Sequence, residues 1–265
     1  MSPVRPLSPI LYERTRRVRD RTVRCYLTLA CTRACGFCSA GVPGVPAVRK
    51  EICLPAGDWA AGINARRRAC ILAGGEPLLY PGLAELLRRI DGSIPIEIYT
   101  NLEGDVSPLL AAPARYRVLA SLHKDVVDLG DPWFDSLAAV VHAGHSVRCH
   151  VVKAGNWRHR VDLLNQVGVK TTCCGDQRSG VKSRGRIGRE VRCVNTIYLF
   201  GPDGFRYPCV TLLGRGERPM EHIAAPDGPD GIEIRCDLFG SCVGCDNNIE
   251  GRAEAVEVEC GMVDG

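Results

Sequence analysis

Apolar positions recur along this chain with two alternating periods. Runs rich in β-branched and apolar residues read as strands: "TVRCYLTLA" (22–30), "CILAGG" (70–75), "IPIEIYT" (94–100), "YRVLASLH" (116–123), "SVRCHVV" (146–152) and "VKTTC" (169–173). Between them lie segments with helical spacing: "GDWAAGINARRRA" (57–69), "PGLAELLRRI" (81–90), "DPWFDSLAAVVHAG" (131–144) and "NWRHRVDLLNQVG" (156–168). Asp58 is a candidate N-cap for the first helix, and Pro81 opens the second with arginines in its last turn. Asp131 is placed to cap the third, with Pro132 at its first position and Gly144 near its end. Strands alternating with helices predict parallel βα units. Six units over about 150 residues are too few for a closed eight-unit barrel. The expected fold is α/β, a partial (β/α)6 TIM-type barrel with its chemistry at the C-terminal ends of the strands.

Past residue 180 the pattern changes. "KSRGRIGR" (182–189) is a glycine- and arginine-rich loop, and "NTIYLFGPDGFRYPCV" (195–210) places two apolar runs around Pro-Asp-Gly, a β-hairpin signal. Cysteines then gather, from Cys193 and Cys209 to Cys236, Cys242, Cys245 and Cys260. So slight a core needs a staple, and metal is the expected one. The expected divisions are an N-terminal segment (1–21), the partial barrel (22–181) and a small C-terminal β-hairpin module (182–265).

Composition narrows the class. Of 265 residues 45% are hydrophobic, enough for a sizeable core, and the net charge of +4 comes without any block of five Lys or Arg. Nucleic acid is therefore not an expected partner, and the runs Arg14–Arg19 and Arg66–Arg68 read as solvated faces. Fifteen cysteines suit either a secreted disulfide scaffold or an intracellular metal protein. The opening "MSPVRPLSPILYERTRR" has no apolar signal core, and no segment approaches a membrane span. The expectation is a cytoplasmic protein with no membrane partner.

Three of those thiols fall within eight positions, in "CTRACGFC" (31–38) directly after the first strand. Cys31, Cys35 and Cys38 on one loop suit a four-iron cluster held through three irons, leaving the fourth iron open to a small molecule. Structural zinc would want a nearby fourth ligand, and no such partner lies close in sequence. This three-then-two spacing after the first strand of a βα series, with Phe37 before the last cysteine, resembles the radical SAM superfamily. "GGEP" (Gly74, Gly75, Glu76, Pro77), ending the second strand, agrees with that resemblance. The resemblance implies that backbone there, with Glu76, meets the amino group of the SAM methionine. Glycines suit a backbone that must approach a ligand closely. "YTN" ends the third strand with Thr100 and Asn101, and "SLH" the fourth with Ser121 and His123; both are similar to polar strand ends that touch SAM ribose or carboxylate. Ordinary loop capping is the competing reading for these polar ends. The implied reaction is reductive cleavage of SAM to a 5′-deoxyadenosyl radical, which takes a hydrogen atom from substrate, with flavodoxin or ferredoxin as external electron donor.

Cys193, ten residues, Gly204, four residues, Cys209, and then the Cys242–Cys245 pair look like the shortened SPASM, or "twitch", extension of radical SAM enzymes. That resemblance implies an auxiliary 4Fe–4S cluster held by Cys193, Cys209, Cys242 and Cys245, with Cys236 a spare or substitute. Structural zinc at the same position is the alternative. Cys173 and Cys174, at the end of the last barrel strand, and Cys236 are candidate hydrogen-atom donors to a substrate radical, packing being their ordinary role. "SRGRIG" (183–188) is similar to an arginine- and glycine-containing loop of twitch enzymes, in which Arg184 or Arg186 would pair with a carboxylate or hydroxyl. Cys25, Cys53, Cys70, Cys149 and Cys260 read as ordinary thiols.

Three outcomes remain open at this level. The substrate radical is oxidised through the auxiliary cluster, is requenched by a thiol with epimerisation, or belongs to a ribosomally made peptide that is cross-linked, oxidised or epimerised. Cys31 lies near the start of the chain, which leaves no room for a peptide-recognition domain ahead of it and favours a small polar metabolite. A non-catalytic iron–sulfur or zinc protein is the reading from a different class, and the ligand-facing GGEP turn speaks against it.

Overall fold

The computed structural model describes residues 5–6, 22–35, 38, 45–113, 115–123, 125–126, 128–152, 156–174, 191–195, 198–229 and 232–236. Its strands are β1 (Arg5–Pro6), β2 (Val23–Tyr26), β3 (Cys70–Ala73), β4 (Ile96–Thr100), β5 (Arg117–Leu122), β6 (Ser146–Val152), β7 (Lys170–Cys174), β8 (Val191–Asn195), β9 (Tyr198–Phe200), β10 (Arg206–Tyr207) and β11 (Ile232–Cys236). The helices are α1 (Ala47–Lys50), α2 (Ala56–Arg66), α3 (Leu83–Arg89), α4 (Ser107–Leu110), α5 (Pro132–His142), α6 (Trp157–Gln166) and α7 (Val210–Arg215).

Strands β2 through β7 run parallel and in sequence order, each hydrogen-bonded to the next. This is the expected partial α/β barrel. Its alternating residues separate two faces. Cys25, Leu72, Ile98, Val118, Ala120, Cys149 and Val151 are buried in one cluster with Trp59, Leu83, Leu86, Trp133, Leu137 and Leu164 from the helices. Burying each such side chain fully contributes about 1.5–3 kcal/mol, so the helix-covered face carries most of the stability. The intervening positions, among them Tyr99, Leu119, Ser121 and His150, are only partly buried and form the opposite, concave face.

Helix starts follow local chemistry with two corrections, the first being that α3 begins at Leu83 behind Gly82, two residues past Pro81. Asp131 caps α5 as expected, its side chain accepting from the Trp133 N–H with Pro132 at the first position. Asp58 does not cap α2. That helix begins two residues earlier behind Pro55, without a side-chain cap, and Asp58 stands in its first turn, where a carboxylate favours the positive helix end.

The expected hairpin is present as β9–β10, with Arg206 opposite Phe200. It extends the barrel sheet, because β9 pairs in parallel with β2. Val210, expected to continue the second hairpin strand, instead begins α7. Leu199, Tyr207, Val210 and Leu213 form a second apolar cluster with Tyr26, Leu29, Val45 and Ala73 on the concave side, and Cys31 and Cys38 pack against it. A separate three-stranded sheet, ordered β1-β11-β8, carries Cys193 opposite Ile234 and Cys236 opposite Val191.

Arginines fasten the segment after α7 to the barrel. Arg206 is fully buried; its Nη1 pairs with Glu221 at 2.7 Å and donates to the Pro229 carbonyl, and its guanidinium lies over the Tyr198 ring. Arg66 and Arg68 both pair with Asp227 and lie over Phe200 and Tyr198. No helix among the described residues is long and apolar enough to cross a membrane.

Candidate active site

The C-terminal ends of β2, β3, β4 and β5 meet, and the cysteine loop is sewn to three of its neighbours. It leaves β2 through Thr28, Leu29 and Ala30. The turn after β3 zips onto that stretch, with the Gly75 N–H donating to the Thr28 carbonyl and the Glu76 N–H to the Ala30 carbonyl, both at 2.8 Å. A Cβ at Gly74 would stand 2.4 Å from the Thr28 oxygen, and one at Gly75 would stand 2.1 Å from the Ala30 oxygen. Gly74 also has φ of 159°. Close approach is therefore the right reason for these glycines, but the chain that approaches is the protein's own.

Glu76 is 1% exposed and accepts three hydrogen bonds. Its Oε1 takes the Leu78 N–H at 3.0 Å and the Thr100 hydroxyl at 2.6 Å, and its Oε2 takes the Asn101 N–H at 2.7 Å. Burial raises its pKa, and the three donors oppose that shift. Pro77 starts the short 3-10 turn that follows (Pro77–Leu79). Glu76→Gln is expected to cost about 1.5–3 kcal/mol, because its amide nitrogen must face a donor where a charged acceptor stood. Urea unfolding of the iron-free chain measures the loss.

Asn101 links this turn to the cysteine loop. Its Nδ2 donates to Thr32 Oγ1 at 2.9 Å, its Oδ1 accepts from the Glu103 N–H at 2.8 Å, and its carbonyl accepts from Trp133 Nε1 at 2.8 Å. Thr32 in turn donates to Glu103 Oε2 at 3.0 Å. Arg33 grips Asp125 in a fork, Nη1 to Oδ1 at 2.7 Å and Nη2 to Oδ2 at 2.8 Å, and its Nη2 also pairs with Glu103. Arg33 is the first cause of the lowered Asp125 pKa. Leu102 between Asn101 and Glu103 has φ of 56°, left-handed backbone that a leucine rarely adopts. That backbone is fixed by a side chain 1% exposed and by an N–H held on Thr100 Oγ1 at 2.9 Å.

Cys31, Cys35 and Cys38 are unbridged and half-buried. Burial first pushes the Cys31 and Cys35 thiols up; Glu76, Cys38 and Cys35 raise Cys31 further, and Cys38 and Asp125 raise Cys35 further against the opposing Arg33. Cys31 Sγ also accepts the Arg33 N–H at 3.4 Å, and Cys35 Sγ lies 3.8 Å from His123 Nδ1. Burial lowers the His123 pKa to about 4, with Arg33 adding to the effect. Among the described residues, no three His, Cys, Asp or Glu side chains gather as they would around a single metal ion. Three free thiols on one loop, beside polar strand ends, are a donor set that an iron–sulfur cluster could take.

The other expected site residues are placed as follows. Ser121 ends β5 on the concave face, opposite His150 of β6. Below it Arg148 Nη2 donates to Glu97 Oε1 at 2.5 Å across β5. Cys173 and Cys174 end β7 in register with Val151 and Val152, at the same C-terminal end of the parallel sheet from which the cysteine loop leaves β2. Cys193 and Cys236 are diagonal neighbours on β8 and β11, while Cys209 precedes α7, beside the apolar cluster that Cys31 and Cys38 touch. Phe37, Arg184, Arg186, Cys242 and Cys245 lie outside the described residues. Thr32, Arg33, Glu103 and Asp125 were not among the expected residues; a lone arginine between two of the thiols was their sole signal.

The chain matches no family model and no curated protein. Among solved structures it is similar to native anSMEcpe with bound AdoMet, at a TM-score of 0.56 and 12% identity over 90% of this chain and 93% of that one. The same protein with AdoMet and a Cp18Cys peptide gives a TM-score of 0.52 and 12% identity over 90% and 93%. Streptococcus suis SuiB gives 0.47 and 18% identity over 58% of this chain, which spans 39% of that structure's length. At these identities the likeness is one of fold alone: the described residues form a partial α/β barrel similar to that of anSMEcpe, whose structure holds AdoMet.

Proposed function

We propose that this chain is a radical SAM enzyme acting on a small polar metabolite, by oxidation or epimerisation. The observation that carries the reading is the cysteine loop itself. The loop that carries three free thiols is joined through Thr28, Ala30 and Thr32 to the glycine turn after β3 and to the polar end of β4, within a barrel similar to one seen with AdoMet. Cys31, Cys35 and Cys38 would hold a 4Fe–4S cluster, and Gly74, Gly75, Glu76, Pro77, Asn101, Ser121 and Phe37 would line the SAM site. The bound cluster and SAM supply a carbon radical that takes a hydrogen atom from substrate. Glu76, filled by three donors, joins the strand ends, and the backbone around it would face the ligand. The concave face offers Tyr99, Ser121, Arg148 and His150, groups that suit a polar substrate.

The finer assignments belong to the same proposal. Cys193, Cys209, Cys242 and Cys245 would hold an auxiliary 4Fe–4S cluster in a SPASM/twitch-type module. Cys173, Cys174 or Cys236 would return a hydrogen atom in an epimerisation, and Arg184 would pair with a substrate carboxylate or hydroxyl. The setting is cytoplasmic, with flavodoxin or ferredoxin as electron donor. The peptide held by the anSMEcpe structure favours a second reading, modification of a ribosomally made peptide.

Anaerobic reconstitution tests the reading. The expected outcome is about eight irons per chain with both clusters formed, and 5′-deoxyadenosine from SAM under reduction. A chain that takes up iron but releases no 5′-deoxyadenosine would contradict it.

A further inference from the structure

We propose that Arg33 is a positioning residue that holds the cysteine loop in register with the strand ends of β4 and β5; this rests on the function proposed above. Hydrogen bonds join the surrounding segments into a ring. Ala30 receives the Glu76 N–H, Glu76 receives Thr100 and Asn101, and Asn101 reaches back to Thr32, two residues past Ala30. That ring holds the front of the loop. Behind Thr32, Arg33 ties the loop to the segment that follows β5 through its fork on Asp125, beside the longer Cys35–His123 contact at 3.8 Å, while the same guanidinium pairs with Glu103. Arg33 stands between Cys31 and Cys35, so a shift of its anchor moves both sulfurs relative to Asn101.

The charges involved are unequal in exposure. The Arg33 side chain is 17% exposed, Glu103 29% and Asp125 58%. Ion pairs this open to water contribute little to global stability. A planar fork bonded to two carboxylates nevertheless fixes direction as well as distance. The left-handed backbone at Leu102 aims Glu103 at this same arginine, and such strain persists where surrounding structure dictates it. What the arrangement accomplishes is therefore geometric: it locates two of the three thiols.

The test uses the full chain in two states. In the iron-free protein, amide hydrogen exchange over residues 30–35 reads the loop directly. Arg33→Ala is expected to speed exchange there by about tenfold or more while the β-sheet amides keep wild-type protection. Arg33→Lys, which keeps the charge but loses the fork, is expected to fall between the two. Glu103→Gln with Asp125→Asn is expected to match Arg33→Ala. In the reconstituted protein, Arg33→Ala is expected to lower kcat for SAM cleavage by about 10²-fold, with KM for SAM changed less. Wild-type exchange in Arg33→Ala, or full recovery by Lys, would overturn the proposal. Failure of the wild type itself to form 5′-deoxyadenosine would overturn the function reading instead, and the exchange result would still decide the clamp.

Discussion

Cys35→Ala is expected to leave a folded chain that no longer cleaves SAM. The rate should fall by at least about 10³-fold, equivalent to about 4 kcal/mol of barrier. Cys35 is the middle thiol of the loop, with the Cys38 N–H bonded to its carbonyl at 3.0 Å and its sulfur beside His123. The substitution keeps the backbone bond and removes the sulfur alone. Two thiolates cannot hold the three corners that the loop otherwise supplies. The thiol is half-exposed and outside the helix-covered core, so thermal stability of the iron-free chain should change little. Iron analysis and 5′-deoxyadenosine release, measured beside far-UV circular dichroism, separate loss of the site from loss of the fold. Full SAM cleavage in this variant would refute the assignment.

Gly75→Ala is expected to be the most damaging single-methyl change in the barrel mouth. The added Cβ would stand 2.1 Å from the Ala30 oxygen, 2.7 Å from the Ala30 carbonyl carbon and 2.9 Å from the Leu29 carbonyl carbon. All three are backbone atoms and cannot swing aside as a side chain would. The two strands must part, which breaks the bonds from Gly75 to Thr28 and from Glu76 to Ala30. Overpacking of this kind costs about 3 kcal/mol. The cysteine loop begins one residue past Ala30, so the displacement passes straight to Cys31, and SAM cleavage should drop by about 10²-fold. Gly57→Ala supplies the control: its Cβ would meet only Arg89 Nη1, at 3.6 Å, an ordinary contact with a flexible side chain. Chemical denaturation of the two variants compares them directly. Equal stabilities would show that the turn after β3 has room to move.

The elements of the barrel were legible because each obeys a local rule. Strands β2 to β7 appear within a few residues of the runs that predicted them, and α5 begins where Asp131 and Pro132 mark its start. The errors arose where a tertiary contact outweighs local pattern. "RYPCV" reads as strand, yet Val210 turns into α7, and Val210 and Leu213 there pack onto Tyr26 and Leu199. The hairpin reads as part of a separate module, but β9 finds its partner in β2, far back in the chain.

The site divides in the same way. The cysteine spacing and the glycine turn are visible as motifs because each is compact in sequence. The clamp is not, since Arg33 lies 70 residues from Glu103 and 92 from Asp125. The motif does not show that the glycines also make room for Thr28 and Ala30. Nor does it show the partners of Glu76, whose carboxylate accepts from Leu78, Thr100 and Asn101 and joins two strand ends.

In the proposed function Cys31, Cys35 and Cys38 together would hold an iron–sulfur cluster to which SAM has access. Electron paramagnetic resonance of the reduced, anaerobically reconstituted chain tests it most directly. The expected result is a cluster signal with a component whose shape changes when SAM is added, that component alone being lost when all three cysteines are replaced by alanine. A wild-type signal with no component that responds to SAM, or a SAM-responsive component that survives in the triple variant, would contradict it.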